Sequence, residues 1–230
     1  RWNYPFLVYS LSLIILVLTY FYLKEPTPKK EQVLNGNSKM IRKKRTVAGI
    51  YFLVFLGMLL FYFIPVQSPF LINQLGVSSS FLISVALVAS TLFAAISSFA
   101  YGRIRHKLNF KSIFLLTFSG VAIGYLVLFI ARDYLVVLVG LTISGAGLGL
   151  LMPNANTWLI QISPPAIRGK LIGGLTSIVF LGQFLSPIAA KPLIENFQLS
   201  GLFLNGALIS AVLFFLLLVW KILKKKLATA

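Results

Sequence analysis

The chain has 230 residues, 58% of them hydrophobic, with a mean hydropathy of +0.92, a formal net charge of +17 and no cysteine. Soluble domains are about 45–50% apolar, so the composition excludes an ordinary soluble domain. The missing thiols exclude a disulfide framework, a thiolate metal site and a cysteine nucleophile within this chain. The positive charge is spread between apolar runs rather than gathered in one patch, which argues for a lipid bilayer as partner and against nucleic acid.

Seven apolar runs follow in chain order, at 6–23, 47–75, 81–101, 110–131, 135–162, 169–190 and 201–223. About 20 residues at 1.5 Å each cross the ~30 Å hydrocarbon layer. The second and fifth runs exceed that and should tilt, bend or protrude. The predicted fold is therefore an all-α integral membrane protein with seven transmembrane helices. One helix (1–23) is followed by a basic cytoplasmic linker (24–46), a six-helix bundle (47–223) and a short cytoplasmic tail (224–230).

Lys24 to Arg45 holds eight basic residues, Arg103 to Lys111 four, Arg168 to Lys170 two and Lys221 to Lys226 four, whereas the alternate gaps hold Arg1, Arg132 and Lys191. The positive-inside rule puts the first set in the cytoplasm, so the N-terminus is predicted outside and the C-terminus inside the cell membrane. Tyr20, Tyr22, Tyr101 and Trp220 fall at inner boundaries, and Trp2, Tyr4 and Tyr134 at outer ones, as an interfacial aromatic belt would. An outer N-terminus without a cleavable leader, in a chain that opens on Arg1, predicts earlier spans upstream.

The six spans from Val47 divide into triplets opening near Val47, Phe81 and Phe110, and near Leu135, Gly169 and Gly201. Three is odd, so the second triplet must insert upside down, giving a 3+3 inverted repeat. Pro65 lies 18 residues after Val47, and Pro153 lies 18 after Leu135; Gln67 follows the first, Asn154 and Asn156 the second. Proline removes an intrahelical hydrogen bond, and interrupted helices at matching points of inverted repeats mark a transporter's substrate-facing, moving segments. Pro65, Pro69, Pro153, Gly145 and Gly149 are thus candidate gating hinges, against the plainer reading that these prolines only end a helical turn. Small residues every fourth position (Ala86, Ser90, Ala94, Ser98, Gly102; Gly120, Gly124; Gly145, Gly149; Gly169, Gly173, Ser177) predict close helix packing in lipid.

Chain order and motifs resemble the carboxy-terminal half of a major facilitator superfamily transporter, preceded by the last helix of its amino-terminal half. The stretch from Gly102 through Arg103 and Lys107 to Lys111 resembles the second copy of that family's loop signature, with His106 standing where the signature has Asp and Asn109 where it has its second Gly. The run from Gly145 through Pro153 to Arg168 and Gly169 is similar to the family's tenth and eleventh helices. Residues 64–70 (IPVQSPF) and 182–187 (GQFLSP) resemble its twelve-helix drug/proton antiporters. The resemblance implies alternating access, an N-terminal helical half as partner, and proton-coupled efflux of a small molecule.

The chain has four acids, Glu25, Glu31, Asp133 and Glu195, and none lies mid-span. If the intact protein is proton-coupled, its coupling carboxylate is therefore expected outside this sequence, with Glu195 the second choice. Polar groups in hydrocarbon are costly and usually face a bundle interior or a water-filled cavity. Gln67, Asn154, Asn156, Trp158 and Gln183 are accordingly the substrate-binding candidates, suited by neutral amides and an indole to an amphiphilic or weakly polar solute. The alternative is interhelical hydrogen bonding. Asn73 and Gln74 belong near the outer surface, and Trp158 could instead anchor at the inner interface. Arg168 should donate to carbonyls ending the preceding helix, or to an acid in the absent half. No nucleophile–base pair, phosphate-cradling loop, metal cluster or cofactor motif appears, so an enzyme is not expected. A seven-helix receptor shares the topology, but the chain has no mid-span lysine in its last span, no Asn-Pro-x-x-Tyr and no Asp-Arg-Tyr. A truncated remnant without transport is the third reading.

Overall fold

The computed structural model describes residues 11–22 and 44–229, all but the short turns between helices being α-helical. The chain divides at Asn35/Gly36 into two units. The first is described by one helix, α1 (Leu11–Tyr22), an unbroken apolar stretch without an acid in its first turn or a base in its last. The basic linker expected at 24–46 lies outside the described residues up to position 43.

The second unit holds α2 (Lys44–Gln74), α3 (Ser80–Lys107), α4 (Phe110–Ile130), α5 (Tyr134–Leu148), α6 (Leu151–Ile162) and α7 (Pro165–Thr229). Among the described residues, five helical lengths are long and apolar enough to span a membrane: α2, α3, α4, the α5–α6 pair, and α7 through Leu223. This is an all-α membrane architecture. The last length is 59 residues, roughly 90 Å at 1.5 Å per residue and three times a hydrocarbon core. It cannot cross once. Gln198 breaks it, at φ 62° and ψ 177°, a conformation that is essentially glycine's and is strained for a side chain.

The helices outrun the apolar runs at their charged ends. α2 begins at Lys44, inside the expected linker, and α7 continues through the expected tail to Thr229. Residues 103–107, expected as a cytoplasmic turn, form the last turns of α3; the turn itself is Leu108 and Asn109. Basic side chains close a helix favourably because they oppose the carbonyl end of its dipole. Asn109 then caps α4, its Oδ1 accepting from the Ser112 amide at 2.9 Å, and Asp133 caps α5 by accepting from Val136 at 3.0 Å. Pro165 opens α7, where its missing N–H costs nothing.

Packing is set by glycines and by tyrosine hydroxyls. A Cβ on Gly145 or Gly149 would run into the backbone carbonyls of Ser90 and Ala94, so α5 lies directly on α3. Gly124 and Gly140 do the same between α4 and α5, and Gly182 abuts the Phe55 carbonyl of α2. The small-residue face of α3 is therefore a contact at Ala86, Ser90 and Ala94, but it ends there: Gly102 has open space where a Cβ would be. Tyr125, fully buried, donates to the Leu60 carbonyl and meets Phe203 edge-on. Tyr51 donates to Leu171 across to α7, and Tyr134 donates to Leu82 of α3 at 2.8 Å. Each such bond removes a donor from hydrocarbon and is worth roughly 0.6–2 kcal/mol.

Candidate functional site

Among the described residues, the one interruption inside a membrane-length helix other than Gln198 lies at Gly149 and Leu150, between α5 and α6. Pro153 supplies no N–H for the Gly149 carbonyl, and three alternating glycines just before it offer no side-chain packing to hold the turn. The Leu150 amide shifts to the Gly147 carbonyl at 3.2 Å, a tighter turn than the α-helix. Pro65 and Pro69 behave differently. Helix α2 runs unbroken through both, and Ser68 donates its hydroxyl to the Ile64 carbonyl in the same turn. Matching interruptions were expected in the two triplets; the described structure has one, because only the second is undermined by glycine as well as proline.

Around this break, Met58 and Phe61 of α2, Ala94 and Ser98 of α3, and Gly149, Leu151 and Pro153 line a cleft of about 280 Å³. Gly57 faces Leu151 across the α2–α6 contact, and the two helices run in opposite directions. Gln67 is ten residues beyond Gly57, and Asn156 is five beyond Leu151 on the other side. The two amides are thus roughly 22 Å apart along the bundle at 1.5 Å per residue. Gln183 stands between them, next to Gly182 where it meets Phe55, with Ser186 one turn on donating to Leu59 at 2.8 Å. Gln67, Asn156 and Gln183 are half-buried, and among the described residues none makes a side-chain hydrogen bond.

Asn154 is placed differently. It is completely buried, and its Nδ2 donates to the Phe110 carbonyl at 3.0 Å, tying α6 to the start of α4. Its Oδ1 has no partner among the described residues. Trp158 stacks on Phe110 with centroids 5.4 Å apart and parallel rings, and tilts against Phe114 at 6.0 Å. Both belong to the α4–α6 seam rather than to the line of half-buried amides. Asn73 and Gln74, by contrast, are exposed at the end of α2.

The loop residues separate in the same way. Arg105 lies 3.8 Å above the Phe110 ring and donates Nη1 to the Leu108 carbonyl at 3.0 Å, which holds the turn. Arg103 and Lys107 are exposed. Gly102 and Gly169 meet nothing where a Cβ would stand, so packing within this chain does not require glycine at either. The expected donation from Arg168 to the carbonyls ending α6 is not made: among the described residues its Nε is buried without a partner. Pro164 turns the backbone there, its carbonyl accepting from Ile167 at 3.2 Å.

A family model described as Major Facilitator Superfamily matches residues 47–229. The chain belongs to that superfamily. It is 27% identical over 170 residues to the uncharacterized MFS-type transporter YhcA of Bacillus subtilis (strain 168), covering 71% of this chain and 31% of that protein. It is 29% identical over 103 residues to the proton myo-inositol cotransporter of Homo sapiens, covering 44% of this chain and 16% of that one. It is 28% identical over 128 residues to plastidic glucose transporter 4 of Arabidopsis thaliana, covering 55% and 23%. The chain thus spans at most about a third of each relative's length. As a superfamily member it is a multi-pass membrane protein of a transporter family, built from the helices described above.

Sequence reasoning missed the tyrosine-to-carbonyl ties at Tyr51, Tyr125 and Tyr134. Tyr125 could have been suspected, since a phenol midway along an otherwise apolar run must find an acceptor in lipid.

Proposed function

We propose that these residues form one bundle of a two-bundle secondary transporter, and that Gln67, Gln183 and Asn156 line the path of a small uncharged or amphiphilic solute. The observation that carries this is the line of half-buried amides that make no side-chain hydrogen bond among the described residues, strung past a helix that breaks at Gly149–Leu150. A solute's hydroxyls would take up hydrogen bonds the described residues leave unused, at little desolvation cost. In this reading α7 crosses twice, hinged at Gln198, which gives six spans in two inverted triplets. Support comes from a reciprocal packing pattern. The leading helix of each triplet lies on the second helix of the other: α2 on residues 171–186 of α7, through Tyr51, Gly182 and Ser186, and α5 on α3, through Tyr134, Gly145 and Gly149.

The basic ends of α2, α3 and α7 would face the cytoplasm of the cell membrane, and alternating access would rock this bundle against an N-terminal half. The buried Nε of Arg168 suits an acceptor supplied by that half. Proton-coupled export rests on the antiporter-like stretches at 64–70 and 182–187. It gains no support from the relatives whose names state a solute, an inositol cotransporter and a glucose transporter. Among the described residues the carboxylates are Asp133, a helix cap, and Glu195, exposed and 3.9 Å from Lys191.

The cysteine-free chain allows a direct test. Gln67→Cys, Gln183→Cys and Asn156→Cys, each introduced singly, should react with a membrane-impermeant, water-soluble thiol reagent, and Asn154→Cys should not. Lipid-like inertness at the first three positions would remove the solute path.

A further inference from the structure

We propose that α6 and the turn between α3 and α4 form one moving body, hinged against α5 at Gly149 and Leu150 and clamped by Phe110, which holds Arg105 and Trp158 at once. Three elements meet at that ring. The half-buried Arg105, in the last turn of α3, places its guanidinium carbon 3.8 Å from the Phe110 centroid. Phe110 opens α4 and lies parallel to Trp158 of α6, with ring centroids 5.4 Å apart. Phe114, one turn further along α4, also meets the indole, at 6.0 Å. The backbone of Phe110 is held as well: its carbonyl accepts from Nδ2 of the fully buried Asn154 at 3.0 Å. Arg105 is fixed in turn by donating Nη1 to the Leu108 carbonyl at 3.0 Å.

These contacts converge on one residue, so α6 cannot swing away from α4 without breaking them together. The link from α6 back to α5 is weaker. It runs through the turn that glycine and Pro153 undermine, held by the 3.2 Å bond from Leu150 to Gly147. The contact of Leu151 with Gly57 of α2 lies in the first turn of α6, next to the break. A few residues at the end of an element can absorb a large backbone change while the packed parts on either side stay rigid. Here the yielding residues are on the α5 side of α6 and the rigid packing is on the α4 side, so α6 follows α4. Asn156 stands between Asn154 and Trp158 in the same helix, and its position is set by Phe110 and, through that ring, by Arg105. Arg105 is thus a positioning residue for an amide more than a turn into α6. The clamp rests on packing and not on the transport reading, so either can fail alone.

The test is amide hydrogen exchange on the full chain in neutral detergent, resolved by element. Arg105→Gln takes the cation off the ring and should speed exchange across residues 154–162 roughly 2- to 5-fold, the factor carried by an exposed cation–π contact. Exchange across residues 135–146 of α5 should stay at the wild-type rate. Arg103→Gln and Lys107→Gln, exposed at the same end of α3, should leave both regions unchanged. Phe110→Leu stays apolar but loses the flat ring, and should speed 154–162 more than Arg105→Gln does, again without α5. Should the variants fold poorly, wild type decides alone. As urea is added, 154–162 and 108–114 should open as one cooperative unit, with a single free energy and urea dependence distinct from those of α5. Exchange in α6 that ignores Arg105→Gln, that rises equally in α5, or that in wild type follows α5 rather than 108–114, would each overturn the proposal.

Discussion

At the scale of single residues, two glycine populations that look alike in sequence do different work. Gly145 and Gly149 stand against the backbone of α3, where neither the Ser90 nor the Ala94 carbonyl can retreat without moving its helix. Gly145→Ala is expected to destabilise the bundle by about 1–3 kcal/mol, the usual cost of overpacking, visible as a lower melting temperature in detergent. Gly102→Ala and Gly169→Ala enter open space and should stay within about ±0.5 kcal/mol or stabilise slightly through helix propensity. If Gly145→Ala melts with wild type, the α3–α5 contact is not as close as described. The asparagines divide likewise. Two positions on one helix, Asn154 and Asn156, share residue type and polarity, yet a rotation of about 200° between i and i+2 places the first in the seam with α4. Nothing in the sequence says which asparagine faces inward, because that depends on where α4 lies.

At the scale of elements, the α5–α6 junction should be the weak point of the bundle. Its Gly149 carbonyl has lost its usual donor, and its turn is held by a 3.2 Å bond from Leu150 to Gly147. Amide hydrogen exchange around 147–153 is expected to be faster than around Pro65 in α2. Pro153→Ala, by restoring an N–H to that carbonyl, should slow it several-fold, since local protection follows local hydrogen bonding. No slowing in that variant would place the cause of the break in the glycines alone. The asymmetry also shows what a matching spacing of prolines can establish. Pro65 and Pro153 sit at equivalent distances into their runs, but proline only removes one bond, and neighbouring contacts decide whether the helix yields. Ser68, in the turn of α2 that carries Pro65 and Pro69, is fully buried.

At the scale of the whole molecule, the solute path proposed above runs between two bundles and could not be closed by one. Proteoliposomes holding only these 230 residues are expected to show no saturable uptake of inositol, glucose or an amphiphilic cation; saturable flux would mean that this bundle transports by itself.

Hydropathy and charge determined much by themselves. Twenty-residue apolar runs between basic turns can satisfy their backbone in lipid only as helices, so the membrane class and most helix positions were legible, as was the family resemblance. Helix ends were not. Residues 103–107 and 44–46 are polar enough to read as loop, yet they continue helices because backbone hydrogen bonding runs past the edge of the hydrocarbon. The tertiary structure alone decided which polar groups are already used. Asn154 is occupied by Phe110, and Tyr125 by Leu60, whereas Gln67, Asn156 and Gln183 are left without side-chain hydrogen bonds among the described residues. Whether a side chain has a partner is a property of residues 44 or 65 positions away, and local sequence carries no record of that distance.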